Sequence, residues 1–505
     1  MEKDRMFFYN ETNPPTSVSP NGTYYIKRKY TTEIWVKFNN HIELMSIIDI
    51  ANMDNYWYGI RKTKANDSKL PTRVGSLQMH KDLPVQNGIY RYLATPNGDV
   101  KLGNEDSTVD ENGNTVAIDG SNGNLLLRVP DFYLKVVDTD EYTEWRISPY
   151  ALPGFELISV FDIAPTFSTY DNVNNRAATV CSLIWDENEI ARDANGFPIV
   201  TANAARFRGA NNASDSDGTA KSGLGMARTA IASADIINKC KAVGADYNNS
   251  SGLAYNALAL LYYIEYCNFD IQETYNPILD SNGYHQGGLG NGTAVNGTEW
   301  LNFNAYYPFI PSLVTAKIGN KTGLVSYTIK NWKNTGTGEA PIYEDKVVNV
   351  ASYRGFELPS EYILLISSDY AVWHQTADQG GKSLCYFCKD ISKIVVPSDN
   401  QATVPDGYEL IAELPRVDGY IKTVSPNIHM MPTSVGGAAN KTYCDYYYCP
   451  TDDASPSYGW FSTRFVGNAS YGAYAGWRCA FTHYRFAFAY AFHGFRLCRE
   501  KRISA

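Results

Sequence analysis

The chain has 505 residues, of which 44% are hydrophobic and 19% charged, and it carries a formal net charge of −9 with a pI near 5.4. Such a length supports about two to four domains with sizeable cores and needs no disulfide staples. The acidic balance excludes proteins that track a phosphate backbone, since the longest Lys/Arg-rich run is IKRKY at Ile26 to Tyr30.

The opening MEKDRMFFYNETNPP has no apolar stretch or small-residue cleavage site of the secretory kind. The longest apolar run, LAYNALALLYYIEY from Leu253, is interrupted by Asn256 and Glu265 and is too short to span a bilayer. The expectation is a soluble protein made in a cytoplasm, with no membrane insertion.

Pro14, Pro15 and Pro20 mark an irregular lead, and TYYIKRKYTTEIWVKF then alternates as a hairpin or a pair of edge strands does. Residues 1–45 are therefore expected to form a small β-element for attachment or oligomerisation, or the first strands of the next domain. From 46 to 155 short strands alternate with PNGD at Pro96, ENGN at Glu111 and SNGN at Ser121, the dipeptides of tight hairpin turns. Ala151 to Phe155 reads as a connector.

Two helices are expected next. Ser233 is a candidate N-cap for ADIINKCKAV, with Gly244 placed for a left-handed C-terminal cap. A second helix runs from about Leu253 to Cys267. Leu253, Ala257, Leu260, Leu261 and Ile264 give it a broad apolar face. From Asn302 onward Tyr- and Trp-rich strands, Gly turns and loops dominate. The class is α+β with few helices and many loops.

Metal and nucleotide chemistry find little support. The histidines, His41, His80, His285, His374, His429, His483 and His493, show no HxH or HxxxH spacing. Nine cysteines include one C-x2-C, Cys385 and Cys388, and a looser pair, Cys444 and Cys449, which read as buried thiols rather than zinc knuckles. GGLGNG at Gly287 reads as a surface loop. NNASDSDGT, residues 211 to 219, could offer oxygens to Ca²⁺ but lacks the bidentate glutamate of a calcium loop.

The C-terminal stretch is the most unusual. Nine of the twenty-two residues from Tyr474 to Phe495 are Phe, Tyr or Trp. Phe486, Phe488, Tyr490 and Phe492 alternate with Ala487, Ala489 and Ala491, which predicts a strand with rings on one face and methyl groups on the other. Composition alone leaves two readings: rings filling a core, or rings forming a platform for a ligand.

The ending GFRLCR, Gly494 to Arg499, resembles the closing strand of the formylglycine-generating-enzyme branch of the C-type lectin fold. The likeness is greatest to the retroelement-diversified variable proteins of gut phages and bacteria. IEYCNFD at Ile264, NAYYPFIP at Asn304 and YRGFELP at Tyr353 resemble the family's blocks in order. So do VGGAANKTYCDYYY at Val435 and PTRVGSLQMHKDLPVQ at Pro71. The family's N-P-x-G-N-x-W-E-W stands here as LPSEYILLISS, from Leu358.

The resemblance implies a C-type lectin-like domain over 156–505, a variable region at about 464–493, and a phage tail-tip or tail-fibre protein. That protein would bind a host cell-surface glycan or protein, assemble with other tail proteins in the virion, and form a homotrimer. Its binding residues would be Tyr474, Trp477, Phe481, His483, Tyr484, Phe486, Phe488, Tyr490 and His493, exposed because random change in a packed core is costly. Trp477 does not arise from an Asn codon by adenine rewriting, which sets it apart from the others.

The oxidase members hold copper on paired cysteines, and no such pair maps here. Cys479 falls in the variable strands and Cys498 in the closing one. No catalytic residue, metal or cofactor is therefore expected. The alternatives are a formylglycine-generating-type oxidase and a purely structural virion component.

Overall fold

The computed structural model describes residues 7–11, 13–16, 18–19, 22–27, 31–38, 41–181, 206–207, 209, 225–338, 340, 342–399, 403–450 and 458–501. The segment 211–219, a candidate for Ca²⁺ by its oxygens, lies outside them. The described chain is mostly β-structure with few helices.

The expected N-terminal hairpin is present and extends further than anticipated. Gly22–Lys27 and Thr31–Phe38 pair antiparallel, with Tyr24 opposite Trp35. Phe7–Glu11 joins in parallel on one side and His41–Asp49 antiparallel on the other, making four strands. Tyr25 and Ile34 close a small core with Trp57, Tyr133, Ala151 and Leu152, so two residues of the expected connector are buried packing residues.

The next sheet has five strands, in the order Glu156–Ile158, Phe132–Asp138, Tyr142–Ser148, Tyr58–Thr63 and Thr72–Gly75. A six-stranded sheet joins distant parts of the chain. Tyr90–Thr95 and Gly98–Lys101 form the hairpin signalled by Pro96 and Asn97, and Asn124–Arg128 and Asp162–Ile163 extend it. Cys498–Arg499 then pairs between Asp162–Ile163 and Tyr247–Asn248. This sheet crosses the expected boundary at 155/156, and one apolar core runs from Tyr58 to Cys498.

The Ser251–Tyr266 helix is the axis of that core. The expected apolar face understates it, because all 16 residues are buried. A helix covered on every side belongs to the interior of a large domain. Strand Leu364–His374, itself buried throughout, lies so close that a Cβ on Gly252 would meet the Tyr370 ring at 2.4 Å. The helix N-terminus is satisfied by Asp369, whose carboxylate oxygens accept from the Gly252 and Leu253 amides at 3.0 Å each.

The other expected helix forms over Ser233–Lys241 with a different start and end. Ala232 is the N-cap residue and Ser233 is the first helical residue, its amide donating to the Phe486 carbonyl at 3.0 Å. The chain leaves through Ala242 in right-handed geometry, and Gly244 does not adopt the left-handed cap. Tertiary hydrogen bonding to the C-terminal segment has displaced the local capping signal.

The largest sheet runs Tyr408–Leu414, Ser383–Cys388, Leu364–His374, Gly459–Phe465, Ala480–Tyr484, Tyr446–Tyr448, Gly419–Val424 and Pro432–Val435, with His493–Gly494 added parallel to Leu364. All nine cysteines are free thiols and eight of them are buried. Gly287, the last residue of the short Gln286–Gly287 strand, and Gly290 in the loop after it take left-handed conformations, and Leu289 between them is fully buried, so the expected surface loop is anchored in the core. No helix among the described residues is long and apolar enough to cross a membrane.

Candidate functional site

The C-terminal segment alternates between scaffold and surface. Gly459–Phe465 is wholly buried between Leu364–His374 and Ala480–Tyr484. The chain then rises through a one-turn 3-10 helix at Gly472–Tyr474 and drops back into the core at Ala475 to Cys479. It runs as strand to Tyr484, loops out over 485–492, and re-enters at His493–Gly494.

The expected strand at Phe486 to Phe492 does not form. That stretch is a loop, and Ala487 and Ala489 are exposed beside Phe488 and Tyr490. The cause is Arg464 beneath it, which is completely buried. Its guanidinium donates to the carbonyls of Tyr484, where the strand ends, at 3.4 Å, and of Arg485 and Phe488 beyond it at 3.4 and 3.2 Å, so the latter two are taken up by a side chain instead of a ladder. Phe488 N to Arg485 O and His493 N to Tyr490 O, at 3.1 and 3.0 Å, close the turns. No carboxylate among the described residues pairs with Arg464, and burial pulls its pKa down to about 9.

The nine residues expected to bind therefore divide. Tyr474, Phe488 and Tyr490 are exposed, at 41%, 38% and 41% of their surface, and His483 and Tyr484 are half-buried. Trp477, Phe481, Phe486 and His493 are buried and cannot present their rings to a ligand. Trp477 lies among Tyr255, Tyr262, Tyr353 and Phe356 in the main core. Phe486 packs with Ile237, Trp373 and Trp460. Phe481 is sealed under Tyr448, ring to ring at 4.7 Å. His493 is enclosed by Tyr484, Tyr490 and Phe492.

What remains at the surface is continuous with rings the sequence did not nominate. Tyr420 meets Tyr474 at 5.5 Å, Tyr474 meets Tyr446 at 4.7 Å, and Tyr446 meets Tyr448 at 4.6 Å. Tyr448 and Tyr471 stack over Phe481, and His483 and Tyr484 carry the path onward at 4.0 Å. Tyr484, Phe488, Tyr490 and Phe492 come next, ending on Tyr306 at 6.2 Å. Tyr446 and Tyr448 were legible as the outer residues of YYY, with Tyr447 buried between them. Tyr306, Tyr420 and Tyr471 carried no local signal.

No family model, curated protein or solved structure matches this chain.

The face is electrically quiet. Burial raises the phenol pKa values of Tyr420, Tyr446, Tyr448, Tyr471 and Tyr484, so they stay neutral. Burial also pushes His483 down to about 4. Neutral rings with polar tips suit stacking on sugar C–H faces and hot-spot contacts with protein. Binding through this face is expected to be unchanged between about pH 5.5 and about 7.5, because His483 is already neutral throughout that range. Surface plasmon resonance across that range checks this; a step near pH 6.5 would place a charged histidine at the contact.

Proposed function

We propose that the chain is a phage tail-tip or tail-fibre receptor-binding protein with a C-type lectin-like domain, whose variable face binds a host cell-surface glycan or protein. The observation that carries this reading is the unbroken path of neutral rings from Tyr420 to Tyr306, open at Tyr474, Phe488 and Tyr490. An apolar surface of this kind on a soluble chain usually marks an interaction site.

The division between loop and scaffold also supports diversification. The closing Phe495, Arg496 and Leu497 are fully buried. Arg496 donates to the Ala164 and Glu357 carbonyls at 3.2 and 2.6 Å and lies over the rings of Phe167 and Phe356. A loop clamped at its ends by such residues can change its exposed side chains at little cost to the fold. Assembly as a homotrimer beside other tail proteins would multiply weak single sites through avidity.

Deep sequencing of the gene's 3' end in a population grown from one clone tests the diversification. Substitutions are expected at Tyr471 to Tyr474 and Ala487 to Phe492, with Trp477, Phe486 and Phe495 to Leu497 constant. A uniform sequence would remove it. The binding role is tested separately: Phe488→Ala and Tyr490→Ala are each expected to weaken host adsorption about tenfold while thermal stability is kept. Intact adsorption in both variants would sink the receptor-binding reading.

A further inference from the structure

We propose that a cleft at the C-terminal end of the Ser251–Tyr266 helix is a second binding site, built for a small sugar that carries a carboxylate. The helix end, the hairpin of Tyr275–Asn276 with Gln286–Gly287, and the loops at Asn320 to Thr322 and Arg354 enclose about 300 Å³. That volume is at the lower limit of small-molecule pockets. None of its lining residues belongs to the aromatic face, so the site does not depend on the receptor-binding reading.

Charge in the cleft favours an anion. Glu265 on the floor is buried and already engaged: Arg354 Nε and Nη2 donate to it at 2.6 and 2.9 Å, and the Tyr353 hydroxyl at 3.0 Å. Arg354 uses a third N–H on Asn87 Oδ1, at 2.8 Å. A guanidinium has five N–H groups, so two remain for a ligand. Arg354 is also held in place by backbone geometry, at φ 46° in a two-residue turn with Gly355 at φ 85°. Lys321 on the rim pairs with Glu105, and both side chains are more than half exposed, so an incoming carboxylate can replace that partner. Once Glu105 is displaced, Lys321 and Arg354 against Glu265 leave the lining groups one positive charge in excess.

The walls suit a sugar ring. Tyr275 is fixed by its hydroxyl, which donates to the Thr322 carbonyl at 3.2 Å, and with Tyr266 and Pro277 it supplies an aromatic and apolar surface. Asn276 and His285 bring an amide and an imidazole to the same cleft for hydroxyl groups. Burial lowers the His285 pKa, which leaves its ring neutral at neutral pH, with Nε2 3.5 Å from Glu265 Oε1.

The test is calorimetric titration of the whole chain with glucuronic acid, N-acetylneuraminic acid and its methyl glycoside, with glucose and acetate as controls. The sugar acids are expected to bind at least about tenfold tighter than either control. Binding of the methyl glycoside as well identifies a glycan terminus, and binding of the free acid alone identifies a free sugar acid. Lys321→Gln is expected to weaken acid binding about fivefold with no change in Tm, as fits loss of one exposed charge. Tyr490→Ala is expected to leave it intact. Equal binding of glucose and glucuronate, no response to Lys321→Gln, loss of binding in Tyr490→Ala, or no acid binding at all would each overturn the proposal.

Discussion

Trp477→Ala is expected to lower stability by about 3–5 kcal/mol, the cost of removing a large ring from a packed core. The indole is fully buried, with Tyr255 at 5.1 Å and the Phe356 ring parallel to it at 5.9 Å, 13° between planes. The backbone around it has no slack: a Cβ on Gly476 would run into the Asp445 carboxylate, whose Oδ2 accepts from the Arg478 amide at 2.6 Å. Collapse of the hole is therefore restricted, which places the loss at the upper end of the range. Trp477→Phe should recover more than half, since it keeps the stacking and removes an indole N–H that has no hydrogen-bond partner among the described residues. Phe488→Ala, eleven residues on and exposed, should change stability by less than about 0.5 kcal/mol. Urea denaturation of the three variants separates scaffold from face. A loss below about 1 kcal/mol for Trp477→Ala would mean the segment is not packed around that ring.

That contrast shows what local sequence could reveal. The hairpin of Gly22–Lys27 with Thr31–Phe38 and the turn at Pro96 and Asn97 were legible because neighbours in sequence determine them. The central helix was legible in its spacing, but its full burial was not. The Asn256 and Glu265 that interrupt its apolar run find partners far along the chain, Tyr370 and Arg478 for one and Tyr353 and Arg354 for the other. The alternation at Phe486 to Phe492 predicted a strand, and a buried cation some twenty residues earlier drew its carbonyls into turns instead. Phe486 and Phe488 are the same residue type two positions apart, one in a core and one in solvent. Only the fold distinguishes them, as it alone brings Tyr420 to Tyr474.

Glu361 gives the second large effect, and it ties pH to the candidate face. Its side chain is buried beneath the Gly472–Tyr474 turn, with Oε1 accepting from the Gly472 amide at 3.1 Å and Gln272 Nε2 3.5 Å from Oε2. No cation among the described residues pairs with it, and burial raises its pKa from 4.5 to about 9. A carboxyl raised in this way holds its proton more tightly folded than unfolded. Between pH 4.5 and about 9 unfolding releases that proton, so stability falls as pH rises through this window. The slope approaches about 1.4 kcal/mol per pH unit. Glu361→Gln keeps an acceptor for Gly472 and cannot ionise. The variant should match the parent near pH 4.5 and exceed it by on the order of 4 kcal/mol at about pH 8. Taking the difference between the two chains cancels other buried acids, such as Asp369, which burial raises to about 6. Because the same carboxyl anchors the turn that carries Tyr474, hydrogen exchange at Gly472 should accelerate above about pH 8 in the parent more than in the variant. A stability difference that stays flat from about pH 5 to about 9 would mean Glu361 is already ionised in the folded chain, its carboxylate still accepting from the Gly472 amide.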